Sequence, residues 1–373
     1  MKRIPQLDGV RGLAILQVMI WHYQGLVHAQ LSSSVAYGQK VLQLSWSGVD
    51  LFFVLSGFLI GGTLMDNRAA GNYFKVFYVR RFFRIVPLYL LMLIVGQSLV
   101  WVDQLDAGSM GEMLPWGWYL LFGQNVWMAL HTWSGAWNFW LGQSWSLAVE
   151  EQFYLLLPIA IWLLPPRAFP PALVGAIVGS IGFRFGLFMF LPADRASIAA
   201  HVLLPARMDS LLLGVLAALA VRRVPIRTWL SARLGWLYGV LVMLIAGAIG
   251  CIAKGWGLNS SVMETAGLTG LALLYTAFLL IAVLENRGPI RVLTTLAPLR
   301  QLGFWAYSLF LIHPLVSFCV LRVPPPTSPL IESSAFIAAL CGVLLLAHAS
   351  WRCIERPLME FGHRLKFSGS SQV

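Results

Sequence analysis

Apolar runs of about 20 residues recur along almost the whole chain, and this recurrence restricts the fold more than any other feature of the sequence. A helix of that length matches the roughly 30 Å hydrocarbon core of a bilayer. Lipid satisfies no bare backbone group, so a spanning segment is either a helix or a strand of a closed barrel. The runs here are continuous and rich in Leu, Ala, Val and Ile. They lack the polar–apolar alternation of barrel strands. The sequence therefore predicts an all-α fold, a polytopic transmembrane helix bundle of about ten spans. These fall near 8–28, 45–65, 82–102, 144–164, 172–191, 201–221, 235–254, 266–284, 301–322 and 334–354. The stretch 114–128 is apolar but short and aromatic, which suits a re-entrant or surface helix because Trp and Tyr favour the interface.

Composition excludes a soluble reading. Only 11% of the 373 residues are charged, 58% are hydrophobic and the mean hydropathy is +0.75, whereas a soluble domain carries about 25% charged residues. The net charge of +11 does not mark a nucleic-acid binder, since the basic residues sit between the spans rather than on a basic domain. They fit the positive-inside rule instead. With the N-terminus cytoplasmic, 20 of the 26 basic residues face inwards, leaving Lys40, Arg184, Arg195, Arg207, Lys254 and Arg322. Both termini are expected in the cytoplasm, with the Trp-rich segment 102–143 outside. The N-terminus runs directly into a span with no cleavage site of the A-x-A kind, so no cleavable signal peptide is expected. Cys251, Cys319, Cys341 and Cys353 lie in or near apolar runs without paired spacing, and no His/Cys/Asp/Glu group has metal-ligand spacing. No metal is expected.

Ionisable residues inside spans are costly and mark sites or partners. Arg11 and His22 are separated by a rise of about 16 Å and nearly three whole turns, so they share one helix stripe. An anion binder at one end and a proton-transfer group at the other suit transfer across a membrane. Glu150 and Glu151 open the fourth span, with Tyr154 one turn below Glu150. Either carboxylate suits the orientation of His22 or the role of general base. Arg80, Arg81 and Arg84 open the third span, and such guanidinium clusters grip phosphate through bidentate bonds. Topogenic charge alone would also account for them. Asp50, Arg207, Asp209, Ser308 and His313 need partners within the bundle, and buried ion pairs among Asp50, Arg207 and Asp209 are expected as supports. Asp8 is grouped with these supporting residues.

The ordered blocks LDGVRGLAILQVMIWH, GVDLFFVLSGFLIGG, FYVRRFFRIVP, WSLAVEEQFYLLLP, RMDSLLLG, YSLFLIHP and IERP together resemble membrane-bound acyltransferase family 3, from residue 7 to about 357. The family's Arg and His on the first span correspond to Arg11 and His22. The resemblance implies an O-acetyltransferase that moves an acyl group, most often acetyl, from cytoplasmic acyl-CoA to a hydroxyl of an extracytoplasmic glycan or lipid-linked sugar. Residues 1–357 would then be the transmembrane acyltransferase domain, in a bacterial inner (plasma) membrane, and 358–373 a short polar cytoplasmic tail. Arg11, Arg80, Arg81 and Arg84 would hold the coenzyme A phosphates. His22 would serve as base or as transient acyl carrier, supported by Glu150, Glu151 or Tyr154. A secondary transporter is the alternative function, since many spans with internal charges suit one, although no internal repeat is visible.

Overall fold

The computed structural model describes residues 4–23, 42–106, 114–131, 139–258, 260–321 and 329–369. Every regular element among them is helical. The order is α1 Pro5–Tyr23, a 3₁₀ turn Gln43–Ser47, α2 Gly48–Asp66 and α3 Tyr73–Asp106. Three short helices follow, α4 Trp116–Leu120, α5 Gln124–His131 and α6 Phe139–Gly142. Then come α7 Trp145–Leu163, α8 Phe169–Phe190, α9 Ala193–Val202, α10 Leu204–Arg222, α11 Val224–Ala232 and α12 Leu234–Ala253. A π turn at Met263–Gly267 leads into α13 Leu268–Leu284, followed by α14 Pro289–Thr295 and α15 Ala297–Leu321. Last are α16 Pro329–Ser350, a second π turn Trp351–Glu355, and α17 Arg356–His363.

Eight of the described helical segments are long and apolar enough to cross a bilayer, rather than the expected ten. The other two expected spans are α1, with 19 residues, and α15, with 25. Both are of spanning length, but α1 carries Asp8, Arg11, Gln17 and His22, and α15 carries Arg300, Gln301 and His313. Their polarity follows from their place. Among the described residues they pack against each other more extensively than any other pair of helices, and α1 also lies on α2. The segment Ala193–Arg222 is 72% buried and that containing α2 is 67% buried, whereas α12 is 17% buried. The first two form the middle of the bundle. The last presents Val242, Met243 and Ile249 outwards, as a lipid-facing helix must.

Glycine sets the closest crossings. A Cβ added at Gly57 of α2 would collide with the Leu211 carbonyl oxygen of α10, and one at Gly214 of α10 with that of Val54. The same holds where α1 crosses its neighbours: Gly12 abuts the Leu299 carbonyl and Gly303 that of Asp8. Small residues allow such backbone contact between membrane helices.

Buried ion pairs lock the middle of the bundle. Arg207 donates to Asp50 at 2.8 Å with neither side chain exposed. Asp209 pairs with Arg184 of α8 at 2.9 Å rather than with Arg207. Thr269 of α13 completes that second cluster by donating to Asp209 at 2.6 Å.

Other boundaries differ from the sequence reading in ways that packing explains. The expected span 82–102 begins a few turns earlier, because Tyr73 and Phe77 are core residues. The expected span 201–221 is broken at Leu203 into α9 and α10, with Pro205 in the first turn of α10. The aromatic stretch 114–128 is built into the bundle through its polar side chains. Gln124 donates to the Ser144 carbonyl at 3.0 Å, and Asn125 to that of Val202 at 3.1 Å. After α17 the chain folds back on α3: the Arg80 guanidinium donates to the Leu365 carbonyl at 3.0 and 2.8 Å, and Asn72 to that of Lys366 at 2.9 Å.

Candidate active site

A cavity of about 760 Å³ opens between α1, α2, α3, α7, α15 and the C-terminal π turn with α17. Its size is that of a small-molecule or cofactor pocket. Three of the four arginines expected to bind a donor line it: Arg11 from α1, and Arg81 and Arg84 from α3. Arg81 and Arg84 are three residues apart and so share a helix face. Arg11 is within 3.7 Å of Asp8, which also lines the cavity. Among the described residues no ion pair engages Arg81 or Arg84, which leaves both forks open to a ligand anion. The Arg81 guanidinium carbon lies 5.0 Å from the centre of the Tyr154 ring.

Arg80 is not in this wall. It lies on the other side of Arg84 around the helix axis, about 100° from Arg81, and the returning C-terminal segment takes up its guanidinium. Besides the Leu365 carbonyl it covers the Phe367 ring at 5.2 Å.

Beside Arg81 stands a hydrogen-bonded chain of three side chains. Tyr154 donates its hydroxyl proton to Ser56 Oγ at 3.0 Å, and Ser56 donates to Glu150 Oε1 at 2.5 Å. All three line the cavity. Glu150 and Tyr154 are one turn apart on α7 and reach Ser56 together from one face. Glu151, about 100° round the helix, is outside the lining, and its Oε1 is buried without a hydrogen-bond partner among the described residues.

A further carboxylate, Glu355, also lines the cavity, held by a short hydrogen bond from Ser308. Ser308 in turn bonds Ser350 at 2.9 Å. The π turn Trp351–Glu355 interrupts the regular helix, and such single turns often mark functional sites. Sequence reasoning passed over Ser56 and Glu355, although both lie inside the quoted blocks. The signal available was their polarity: a serine in the run VLSGFLI and an acid directly ahead of Arg356 and Pro357. His363, expected in solvent beyond the last span, is exposed and also contributes to the cavity wall.

His22 is elsewhere. It stands at the other end of α1 and is outside the cavity lining. Its partner is a second singled-out residue, His313 of α15, with ring centroids 4.8 Å apart in an edge-to-face arrangement. His22 Nδ1–H donates to the Val18 carbonyl at 2.8 Å, and His313 Nδ1–H donates to that of Leu309 at 2.8 Å. In the neutral forms this leaves each Nε2 with its lone pair free, and His313 Nε2 is buried with no protein partner among the described residues. Tyr23 donates to the His313 carbonyl at 3.1 Å and ties the two helices together at this level. The expected support of His22 by a glutamate is not what the structure assembles. Glu150 is engaged by Ser56, on the arginine cavity.

The candidate site thus has two centres along α1 and α15, an arginine-lined cavity to which α2 and α7 add a serine–carboxylate pair, and a histidine pair further along. A family model described as an acyltransferase domain matches residues 4–348. The chain belongs to acyltransferase family 3. Among curated relatives, it is 26% identical over 390 residues to the peptidoglycan O-acetyltransferase OatA of Listeria monocytogenes, covering 99% of this chain and 58% of that protein. It is 25% identical over 385 residues to the O-acetyltransferase OatA of Staphylococcus aureus, covering 97% of this chain and 58% of the relative. The putative peptidoglycan O-acetyltransferase YrhL of Bacillus subtilis is 33% identical over 191 residues, 47% of this chain and 27% of that protein. The chain therefore spans little more than half the length of the relatives that it matches from end to end. No solved structure matches it.

Proposed function

We propose that this integral membrane acyltransferase takes an acyl group, acetyl in the first instance, from acyl-CoA bound in the arginine cavity. It delivers that group to a hydroxyl of an extracytoplasmic glycan. The convergence of Arg11, Arg81 and Arg84 in one cavity, from the face that carries most of the basic loops, supports the donor assignment. Forked guanidinium donors suit the phosphates of a nucleotide-bearing thioester better than a neutral sugar. The relatives named for peptidoglycan O-acetylation make a peptidoglycan hydroxyl the first acceptor to try. Both termini are cytoplasmic in this reading, the membrane is the bacterial inner membrane, and the His22–His313 pair serves the acceptor side. An imidazole with a free Nε2 can take the acceptor proton near neutral pH or carry the acyl group itself. Family membership favours acyl transfer over the transporter alternative.

The test is reconstitution of the full chain in proteoliposomes oriented with the basic loops outwards. Acetyl-CoA is added outside and soluble peptidoglycan fragments are enclosed inside. Acetyl ester on the enclosed fragments, with coenzyme A released outside, is the expected result. Continued coenzyme A release over many turnovers that is independent of any acceptor, or ester formed only when donor and acceptor share one side, would overturn the trans-membrane reading.

A further inference from the structure

Ser56 is the polar member of the α2 residues that line the cavity, and it sits near the middle of that helix. Its Oγ–H is bonded to the Glu150 carboxylate at 2.5 Å, and its Oγ accepts from Tyr154 at 3.0 Å. A hydroxyl becomes a competent nucleophile when a base lies within hydrogen-bond reach and a third group orients the pair. Here Glu150 is in the place of the base, and Tyr154 fixes the oxygen from the other side. The oxygen is also immobilised through its backbone, because the neighbouring Gly57 is pressed against the Leu211 carbonyl and Val54 against Gly214. His22, by contrast, is about 16 Å along α1 from Arg11 and outside the cavity lining.

From these observations, and resting on the reading of the cavity as the acyl-CoA site, we propose that Ser56 is acylated by the donor, with Glu150 as its base. The Oγ proton passes to Glu150 as Oγ attacks the thioester carbonyl carbon. The carbon–sulfur bond breaks, an ester forms at Oγ, and the thiolate leaves with the proton held by Glu150. In the second half a hydroxyl-bearing nucleophile attacks the seryl ester. An imidazole takes its proton, the ester bond to Oγ breaks, and the protonated Glu150 returns its proton to Ser56 Oγ, so that the net products are the new ester, the thiolate and an imidazolium. No oxidant, reductant or metal enters the balance. The arrangement divides the transfer, so the donor thioester need not itself reach His22.

The experiment is rapid acid quench of the purified full chain in lipid nanodiscs with radiolabelled acetyl-CoA and no acceptor, followed by peptide mass analysis. An acetyl ester on the peptide containing Ser56 is expected within the first turnover, stable to neutral hydroxylamine and cleaved by alkali. Ser56→Ala should lose that label, and its acceptor-dependent transfer should fall about a hundredfold or more, while binding of a non-hydrolysable acetyl-CoA analogue stays within about twofold. Ser56→Cys guards against misfolding of the alanine variant. It should take the label as a thioester released by neutral hydroxylamine. Glu150→Gln keeps the hydrogen bond but not the basicity, and should slow label formation about a hundredfold to ten-thousandfold. Wild-type protein that consumes acetyl-CoA with no label at Ser56 at any quench time overturns the seryl ester and leaves the donor cavity standing. So does Ser56→Ala with undiminished transfer. Failure of the wild-type protein to bind or consume acetyl-CoA would instead remove the donor reading, and this proposal with it.

Discussion

At the scale of single residues, the three neighbouring arginines of α3 have different work, although their sequence context is one short block. Arg84 faces the cavity, whereas Arg80 closes the C-terminal segment onto α3 through the Leu365 carbonyl. Arg84→Ala is expected to raise the apparent KM for acetyl-CoA about tenfold or more, equivalent to about 1.4 kcal/mol of lost binding. Lysine should restore little of it, because the bidentate fork is lost. Arg80→Ala should leave that KM near the wild-type value and instead loosen residues 364–368, read as faster hydrogen exchange there. If the two variants exchange phenotypes in acetyl-CoA titrations, the assignment of donor contacts is wrong. His22 carries a different expectation. His22→Gln keeps size and polarity without basicity, so glycan acetylation should fall about a hundredfold or more. Acetyl-CoA binding should be unchanged, since the residue is outside the cavity. Acetylation at the wild-type rate, at matched membrane levels of the variant, would end its role.

At the scale of elements, the site depends on two crossings in which backbones touch. Gly57 and Gly214 bring α2 and α10 together, and this holds Ser56 opposite Glu150. Gly12 and Gly303 bring α1 and α15 together, and this holds Arg11 in the cavity wall and His22 beside His313. Overpacking a tight contact typically costs about 1–3 kcal/mol. Gly57→Val is accordingly expected to lower the thermal midpoint in detergent and to reduce transfer sharply. Gly175→Val on α8, where an added Cβ meets nothing, should do neither. Equal melting of these two variants would show that the α2–α10 crossing is not what fixes the serine. The buried pairs Arg207–Asp50 and Arg184–Asp209 belong to the same scale, since each joins different helices through groups that lipid could not solvate.

At the scale of the whole molecule, the proposed sidedness rests on the distribution of basic residues. With 20 of 26 on the side proposed as cytoplasmic, the arginine cavity is expected to open towards the cytoplasm and α5 to lie towards the outside. Reporter fusions test this directly. A fusion at residue 130 should report the outside and one at the C-terminus the inside, and the same side for both would sink the topology.

Helical character, a membrane bundle and the need of Asp50 and Arg207 for partners were all legible in the chain. They follow from local quantities: run length, charge count and helical period. Pairings between distant helices were not legible. Periodicity places Glu150 and Tyr154 on one face but does not say that the face meets Ser56, 94 residues away. It puts Arg80, Arg81 and Arg84 in one turn but not which of them the returning C-terminal segment removes from the cavity. It marks His22 without naming His313, 291 positions on, as its neighbour. The polar side chains of α1 and α15 are covered because the two helices pack on each other, and only the packed bundle contains that fact. Sequence determined which segments are helices and which side chains are too polar to face lipid. The tertiary structure decided which of those side chains satisfy one another, because close approach through glycine and burial without water select partners that no local pattern encodes.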